Sequence, residues 1–237
     1  MLKYTLSLIF ALIVAIFADA QSSMKMKSIL EYNVKKANAE INNPTLIVQL
    51  HGVGSNKDDL FSFANELSSN FIVVSAQAPN EYYMGFAWYN LQVSNDGYWS
   101  DIPQAKASVE KIDQFIEYAI NQYSTEPKVI LMGFSQGAIM SIATALKYPE
   151  KIKAVVAMSG YYNGDIVAVD PNNLLAKKIP FFAVHGIQDD VIPVTRAKES
   201  YKNLESHFTN YSFKEYPLAH GISNESLTDV VNWINNL

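Results

Sequence analysis

A serine between two glycines is the residue of this sequence best placed to carry out chemistry. The pentapeptide GFSQG, residues 133–137, directly follows the apolar run of residues 129–132 and precedes the helical pattern of residues 138–147. A G-x-S-x-G sequence between a strand and a helix forms a sharp turn that projects the serine hydroxyl above the end of the strand. The strand before and the helix after the pentapeptide predict that Ser135 is a nucleophile. Without these flanking elements, the pentapeptide would be typical of an ordinary turn.

A serine hydroxyl needs a base to take its proton, and the base needs a third group to orient it. In the strand-turn-helix arrangement, the acid and then the histidine follow the serine along the chain. His220, in the loop before the last helical pattern, is therefore predicted to be the base. His185 ends an apolar run, and we interpret it as a structural residue. The loop after that run carries two neighbouring carboxylates, Asp189 and Asp190, and either of them is a candidate for the acid.

Negative charge that develops on a substrate oxygen must be met by two backbone N–H groups. The residue after the nucleophile, Gln136, supplies the first of them in this arrangement. The apolar run of residues 46–50 leads into the loop HGVG, whose glycines let the backbone turn its amides inward, so Val53 is predicted to supply the second. His51 begins this loop, and we interpret it as a structural residue that holds the loop by hydrogen bonding.

A long segment rich in aromatic side chains, residues 77–103, is predicted to form a wall of a binding site. The segment shows no clear hydrophobic period. The apolar runs on either side of it start 58 residues apart, whereas a strand, a helix and their turns fit into about 30 residues, so the segment is an insertion. Long loops in compact domains are usually functional. We expect Trp88 to lie against the substrate beside Ser135, with Phe86 and Tyr89 as further pocket residues; the alternative is that Trp88 packs the segment onto the core.

Short apolar runs alternate with helical patterns along the chain, which predicts an α/β protein. Runs that are apolar on both faces are typical of parallel strands that helices cover on both sides. The runs occupy residues 46–50, 71–76, 129–132, 154–158 and 181–184, with further strands expected near 29–34 and 211–216. Helices are expected over residues 104–123 and after residues 58, 136, 195 and 223. The predicted architecture is a mostly parallel central sheet with helices on both faces.

The composition indicates a folded domain and excludes several classes of protein. Hydrophobic residues make up 49% of the chain and charged residues 17%, which is far from the composition of a disordered protein. The net charge of −5 lacks the basic character of a nucleic-acid-binding protein. Cysteine is absent, which excludes thiol nucleophiles, disulfides and thiolate metal sites. Residues 21–237 are expected to form a single domain.

The N-terminal segment has the pattern of a signal peptide. Residues 6–18 are free of charge, and this run of thirteen is shorter than the roughly 20 apolar residues that span a bilayer. The run ends at Ala18, the first residue of an Ala-Asp-Ala sequence that is typical of a cleavage site. We therefore predict that residues 1–20 are removed on export, that the protein is secreted or periplasmic, and that it keeps no stable membrane anchor; the alternative is an uncleaved anchor.

Together, these motifs resemble the phospholipase/carboxylesterase family of α/β-hydrolases, which includes the acyl-protein thioesterases. The resemblance extends from about residue 46 to the last helix and rests on LHGVG, the WY pair at 88–89, GFSQGA, the HGxxDxxIP turn from residue 185 and a late HG. GFSQGA followed by HGxxD is its most specific part. The resemblance implies a triad and an oxyanion hole, formed by Ser135, Asp189 and His220 and by Val53 and Gln136.

The resemblance thereby favours Asp189 over Asp190 as the acid. The turn that carries both residues departs from the family pattern, which usually has an acid where this chain has Ile187 and a proline where it has Asp190.

The leading hypothesis is a serine carboxylesterase that hydrolyses a small-molecule ester through an acyl-enzyme intermediate. Short to medium acyl chains or aromatic esters are the expected substrates, and no metal or organic cofactor is implied. A thioesterase or lysophospholipase with the same triad is the alternative among enzymes. A non-catalytic binding protein on the same scaffold is the alternative from another class, because a fold alone does not determine function.

Overall fold

The computed structural model of the chain describes residues 27–94, 97–123, 125–205, 208 and 210–237. The predicted signal peptide, residues 1–20, lies outside the described residues and stays a prediction. Among the residues that the structure describes, no helix is long and apolar enough to cross a membrane.

Eleven strands and four α-helices build the described part of the chain. The strands are β1 (Tyr32–Lys35), β2 (Leu46–Leu50), β3 (Ile72–Ala76), β4 (Asn80–Tyr82), β5 (Gly85–Ala87), β6 (Leu91–Ser94), β7 (Gly97–Ser100), β8 (Val129–Phe134), β9 (Ile152–Met158), β10 (Phe181–Gly186) and β11 (Tyr211–Tyr216). The helices are α1 (Ile102–Tyr123), α2 (Gln136–Lys147), α3 (Val194–Glu205) and α4 (Asn224–Asn235).

Seven of these strands form the central sheet, in the spatial order β1-β3-β2-β8-β9-β10-β11. β1 pairs with β3 in the antiparallel sense, and every other neighbouring pair is parallel. Because parallel strands end at the same edge of a sheet, the loops after β2, β8 and β10 emerge together. The sheet confirms the predicted mostly parallel α/β-hydrolase architecture.

Successive residues of each strand pack on opposite faces of the sheet, as the period of a strand requires. Val48 and Leu131 lie in a core that includes residues of α1, α2 and α3. Ile47 and Ile130, one position earlier, lie in a second core with residues of α4. Helices therefore cover both faces, which explains why the strands read as continuous apolar runs.

Two predictions about local structure were wrong. The helix expected after residue 58 is only the short 3₁₀ helix Leu60–Phe63, followed by turns. The Lys35 ammonium group donates hydrogen bonds to the carbonyls of Ala64, Leu67 and Ser68, at 3.0, 2.8 and 3.2 Å, and so stabilises a non-helical path for this segment. The segment 77–103, in which no regular pattern was recognised, contains the two hairpins β4–β5 and β6–β7 and the start of α1.

Candidate active site

Ser135 lies on a tight turn between β8 and α2. Its φ of +52° is rare for a residue with a side chain, and such conformations cost about 1–3 kcal/mol. A Cβ at Gly133 would lie 2.2 Å from the Gly137 carbonyl oxygen, and a Cβ at Gly137 would lie 1.9 Å from that of Leu50. Only glycine fits at either position, so the G-x-S-x-G pattern reflects the close approach of strand and helix around the serine.

The structure brings Ser135, His220 and Asp189 into one hydrogen-bonded series. The Ser135 Oγ lies 2.9 Å from His220 Nε2, and His220 Nδ1 lies 2.7 Å from Asp189 Oδ2. Since the carboxylate only accepts hydrogen bonds, Nδ1 carries the ring proton and Nε2 keeps a lone pair for the serine proton. The Asp189 side chain is fully buried and the His220 ring is 16% exposed.

The two neighbouring carboxylates occupy different environments. Asp189 Oδ1 accepts hydrogen bonds from the backbone N–H groups of Val191 and Ile192, at 3.0 and 2.8 Å, which turns its Oδ2 toward His220. Asp190 is exposed and lies at the wall of the cavity beside Ser135. The structure thus places Asp189 next to the histidine.

His185 contacts the same carboxylate, a contact that sequence reasoning missed. Its Nε2 lies 2.8 Å from the carbonyl oxygen of Ile192 and 3.2 Å from Asp189 Oδ2. Because a carbonyl only accepts, Nε2 carries the proton, and among the described residues Nδ1 has no hydrogen-bond partner. The bond to Ile192 agrees with the interpretation of His185 as a structural residue that ties its strand to the turn.

Two backbone N–H groups beside Ser135 are available to an oxygen of a substrate. Val53 and Gln136 both line the cavity next to the serine. Neither backbone N–H donates to a protein acceptor within the described residues. The Val53 loop is fixed from two sides: the β4–β5 hairpin exchanges backbone hydrogen bonds with Gly54 and Ser55, and His51 donates from Nδ1 to the Gly52 carbonyl at 2.7 Å.

The Gln136 side chain connects the serine turn to the aromatic segment. Its Oε1 accepts a hydrogen bond from the Trp88 N–H at 2.8 Å, and its Nε2 donates to the Tyr89 carbonyl at 2.7 Å. The side chain therefore holds the two peptide groups at either end of the Trp88–Tyr89 pair. Sequence reasoning assigned a function only to the backbone of Gln136. The signal that could have indicated a role for its side chain is the polar amide at the start of a largely apolar helix.

The expected pocket residues require a correction. Trp88 is fully buried and does not line the cavity, and its Nε1–H donates to the His51 carbonyl at 2.9 Å. Trp88 instead packs the segment onto the Val53 loop, as the alternative interpretation held. Phe86 does not line the cavity either, and its backbone pairs with Ser55. Tyr89 does line the cavity.

The cavity beside Ser135 has a volume of about 410 Å³, toward the lower end of the range for small-molecule sites. Its wall combines apolar side chains with three tyrosines and two opposite charges. Besides Val53, Ser135 and Gln136, the lining residues are Tyr82, Tyr89, Leu91, Ser100, Ile139, Tyr161, Asp190, Val191, Ile192 and Arg196.

Two buried histidines predict how stability depends on pH. Burial lowers the pKa of His51 and of His185, so below pH 6.5 the folded protein binds fewer protons than the unfolded chain. Protonation of His51 Nε2 would also break its hydrogen bond from the Ala78 N–H. We expect the free energy of unfolding to be fully retained above pH 6.5 and to fall below it, by up to about 1.4 kcal/mol per pH unit for each histidine.

Urea unfolding at pH 7.5, 6.5 and 5.5 measures this slope. His185→Gln, which keeps an N–H donor but removes the titrating ring, is the matched variant. Its slope between pH 6.5 and 5.5 is expected to be shallower than that of the wild type. Equal slopes in the two proteins would contradict the prediction that His185 is neutral in the folded protein and that its lowered pKa contributes to the loss of stability below pH 6.5.

Comparisons with known proteins agree with this geometry. A model of the phospholipase/carboxylesterase family matches residues 33–237. Acyl-protein thioesterase 1 of Kluyveromyces lactis is 32% identical over 157 residues, which cover 62% of this chain and 67% of that protein. Acyl-protein thioesterase 1 of Candida albicans is 30% identical over 213 residues, which cover 81% of this chain and 91% of that protein.

A solved structure has the same fold. The crystal structure of esterase PE8 matches this chain with a TM-score of 0.75 and 26% identity, covering 87% of this chain and 98% of that one. The chain therefore belongs to the phospholipase/carboxylesterase family and is a serine hydrolase of the carboxylesterase and acyl-protein thioesterase type.

Proposed function

We propose that this protein is a serine carboxylesterase that hydrolyses small-molecule esters through Ser135, His220 and Asp189. The observation that carries the proposal is the series of hydrogen bonds from Asp189 Oδ2 through the His220 ring to Ser135 Oγ, at 2.7 and 2.9 Å. It ends beside a cavity lined by Val53 and Gln136, whose backbone N–H groups have no acceptor within the described part of the chain.

In the first half of the reaction, Ser135 Oγ attacks the ester carbonyl carbon and its proton passes to His220 Nε2. The carbonyl oxygen takes up negative charge and accepts hydrogen bonds from the N–H groups of Val53 and Gln136. The bond to the alcohol oxygen then breaks, and His220 Nε2 gives its proton to that oxygen. Asp189 accepts the Nδ1–H throughout and stabilises the imidazolium ion.

In the second half, water attacks the acyl group on Ser135. His220 Nε2 takes one proton from the water and passes it to Ser135 Oγ as the carboxylic acid leaves. All bonds and protons balance with water as the only co-substrate. The cavity of about 410 Å³ supports short to medium acyl chains or aromatic esters as substrates.

A thioesterase with the same residues is the second candidate, because the Kluyveromyces lactis and Candida albicans relatives are named acyl-protein thioesterases. A matched pair of substrates separates the two functions: phenyl butyrate and S-phenyl thiobutyrate carry the same acyl group on oxygen and on sulfur. A carboxylesterase is expected to have the higher kcat/KM on the oxygen ester. A higher kcat/KM on the thioester would favour the second candidate.

Labelling with a fluorophosphonate tests whether the protein is a catalyst or a binding protein. We expect one covalent adduct per folded chain, on the tryptic peptide that contains Ser135, because the triad makes this hydroxyl reactive. Heat-denatured protein is the control and is expected to remain unlabelled. Folded protein that takes up no label and does not hydrolyse phenyl butyrate would indicate a non-catalytic binding protein.

A further inference from the structure

Arg196 is the one positively charged side chain among the described residues that line the cavity beside Ser135. It belongs to the first turn of α3, and its guanidinium carbon lies 4.0 Å from the centre of the Tyr161 ring. Tyr161 lines the same cavity. An arginine stacked on an aromatic ring keeps its N–H groups free for other acceptors while its plane is held in place.

Arg196 has no acidic partner within the described residues: no carboxylate there lies within 4.0 Å of its guanidinium group. Helix stability does not account for it either, since the first turn of a helix is the least favourable place for a cation, at a cost of about 0.3–1 kcal/mol. The first turn of α3 also lacks an acidic residue. The position of this charge is therefore better explained by a ligand than by the fold.

The other charged side chain on the cavity wall is Asp190, which is exposed and forms no ion pair with Arg196 in the described structure. The charge of Arg196 extends into the cavity: burial raises the pKa of the Tyr89 hydroxyl, and the nearby arginine acts against this shift. Arg196 thus supplies the positive charge on the cavity wall and Asp190 the negative one. Asp165 and Glu199 share a neighbouring surface pocket with Arg196 but do not line this cavity.

We propose that Arg196 binds a carboxylate at the far end of the acyl chain, so that the preferred substrates are half-esters of dicarboxylic acids. The fork of guanidinium N–H groups donates two parallel hydrogen bonds to a carboxylate, while the ester carbonyl at the other end of the chain lies at Ser135. This inference rests on the proposed esterase function, and it names the substrate class of the same site.

Pairs of esters with identical chains test the proposal. Monomethyl and dimethyl esters of succinic, glutaric, adipic and suberic acid differ only in whether the far end is an anion or a neutral ester. At the best-fitting chain length, we expect kcat/KM for the half-ester to exceed that for the diester by at least about tenfold. The preference is expected to decrease as the salt concentration rises, because exposed charges are screened.

Variants that remove one charge from the cavity wall test whether Arg196 causes the preference for half-esters. Arg196→Met is expected to lower the ratio of kcat/KM for the half-ester to kcat/KM for the diester by about 10- to 100-fold. Asp190→Asn is expected to raise the ratio of half-ester to diester. Lys198→Met is the matched control on the same helix, because Lys198 is paired with Glu215 at 2.8 Å and does not line the cavity; it is expected to leave the ratio unchanged.

Two results would overturn the proposal: a half-ester preference near one at every chain length, or an Arg196→Met variant that loses both substrates equally. Diester hydrolysis that still depends on Ser135 would then leave the esterase function standing. Calorimetry with Ser135→Ala measures binding without catalysis, so the proposal is tested even if neither ester is hydrolysed. Monomethyl adipate is expected to bind this variant more tightly than dimethyl adipate, and Arg196→Met in the same background is expected to remove the difference.

Discussion

Replacement of Ser135 by alanine is expected to reduce kcat for phenyl butyrate by about 10⁶ and to leave the fold intact. The alanine has no oxygen to form the acyl-enzyme, and His220 Nε2 loses the hydroxyl that lies 2.9 Å away. His220→Ala is expected to cost a similar factor, since the residues of a triad act as a unit. Initial rates with active-site concentrations fixed by protein absorbance, together with circular dichroism, measure both effects.

Ser141→Ala is the matched control for the serine variant. Ser141 is also buried on α2, but its Oγ donates to the Gly137 carbonyl at 2.9 Å and does not line the cavity. This variant is expected to keep kcat within about a factor of three, because it removes one internal hydrogen bond and no reacting group. Ser135→Ala retaining more than a few per cent of wild-type kcat would refute the proposed mechanism.

Asp189→Asn is expected to lower kcat by about 10⁴, the second-largest effect, and far more than Asp190→Asn. The N–H groups of Val191 and Ile192 would hold the oxygen of an asparagine at position 189, as they hold Oδ1 now. The amide NH₂ would then face His220 Nδ1 and require that nitrogen to accept a hydrogen bond. The imidazole would carry its proton on Nε2, where it cannot take the serine proton.

Asp190→Asn leaves this arrangement untouched, since Asp190 is exposed and makes no hydrogen bond to the histidine. Its loss of kcat on a neutral ester is expected to stay below about tenfold. Steady-state kinetics of both variants on phenyl butyrate provide the comparison. If the losses were equal, or greater for Asp190→Asn, the acid would have to be reassigned.

The positions of Ser135 and His220 could be predicted because each depends on a local pattern. A glycine on either side of the serine and a strand before it are enough to define the turn, since only glycine fits where strand and helix come within about 2 Å of an added Cβ. The loop before α4 likewise follows from a helical pattern that begins after a capping serine at position 223.

The choice between Asp189 and Asp190 could not be made from such patterns. Two neighbouring residues of a turn point in different directions, and the direction depends on which backbone N–H groups the first carboxylate meets. Here these are the N–H groups of Val191 and Ile192, whose orientation only the folded turn determines. The family resemblance, which favoured Asp189, agrees with the geometry.

The error at Trp88 has a similar physical origin. Trp88 and Tyr89 are adjacent, large and both buried, so composition gives no reason for Tyr89 rather than Trp88 to line the cavity. The difference comes from distant parts of the chain: the His51 carbonyl accepts the Trp88 indole N–H, and Gln136 holds the backbone N–H of Trp88 and the carbonyl of Tyr89. Contacts of this kind, 37 to 48 positions apart in sequence, have no signature in a local pattern.

We expect new substrate ranges to evolve more readily at exposed residues of the cavity wall than at the wall beside Tyr89. Beside Tyr89, the Gln136 side chain is hydrogen-bonded to the cavity wall, and its backbone N–H is the proposed donor to the reacting oxygen, so we expect a shift of that wall to disturb the chemical step as well. Val191 and Arg196 also line the cavity, but they are exposed and their side chains hold none of the triad. We expect specificity to diversify through such exposed residues rather than through the wall that Gln136 holds.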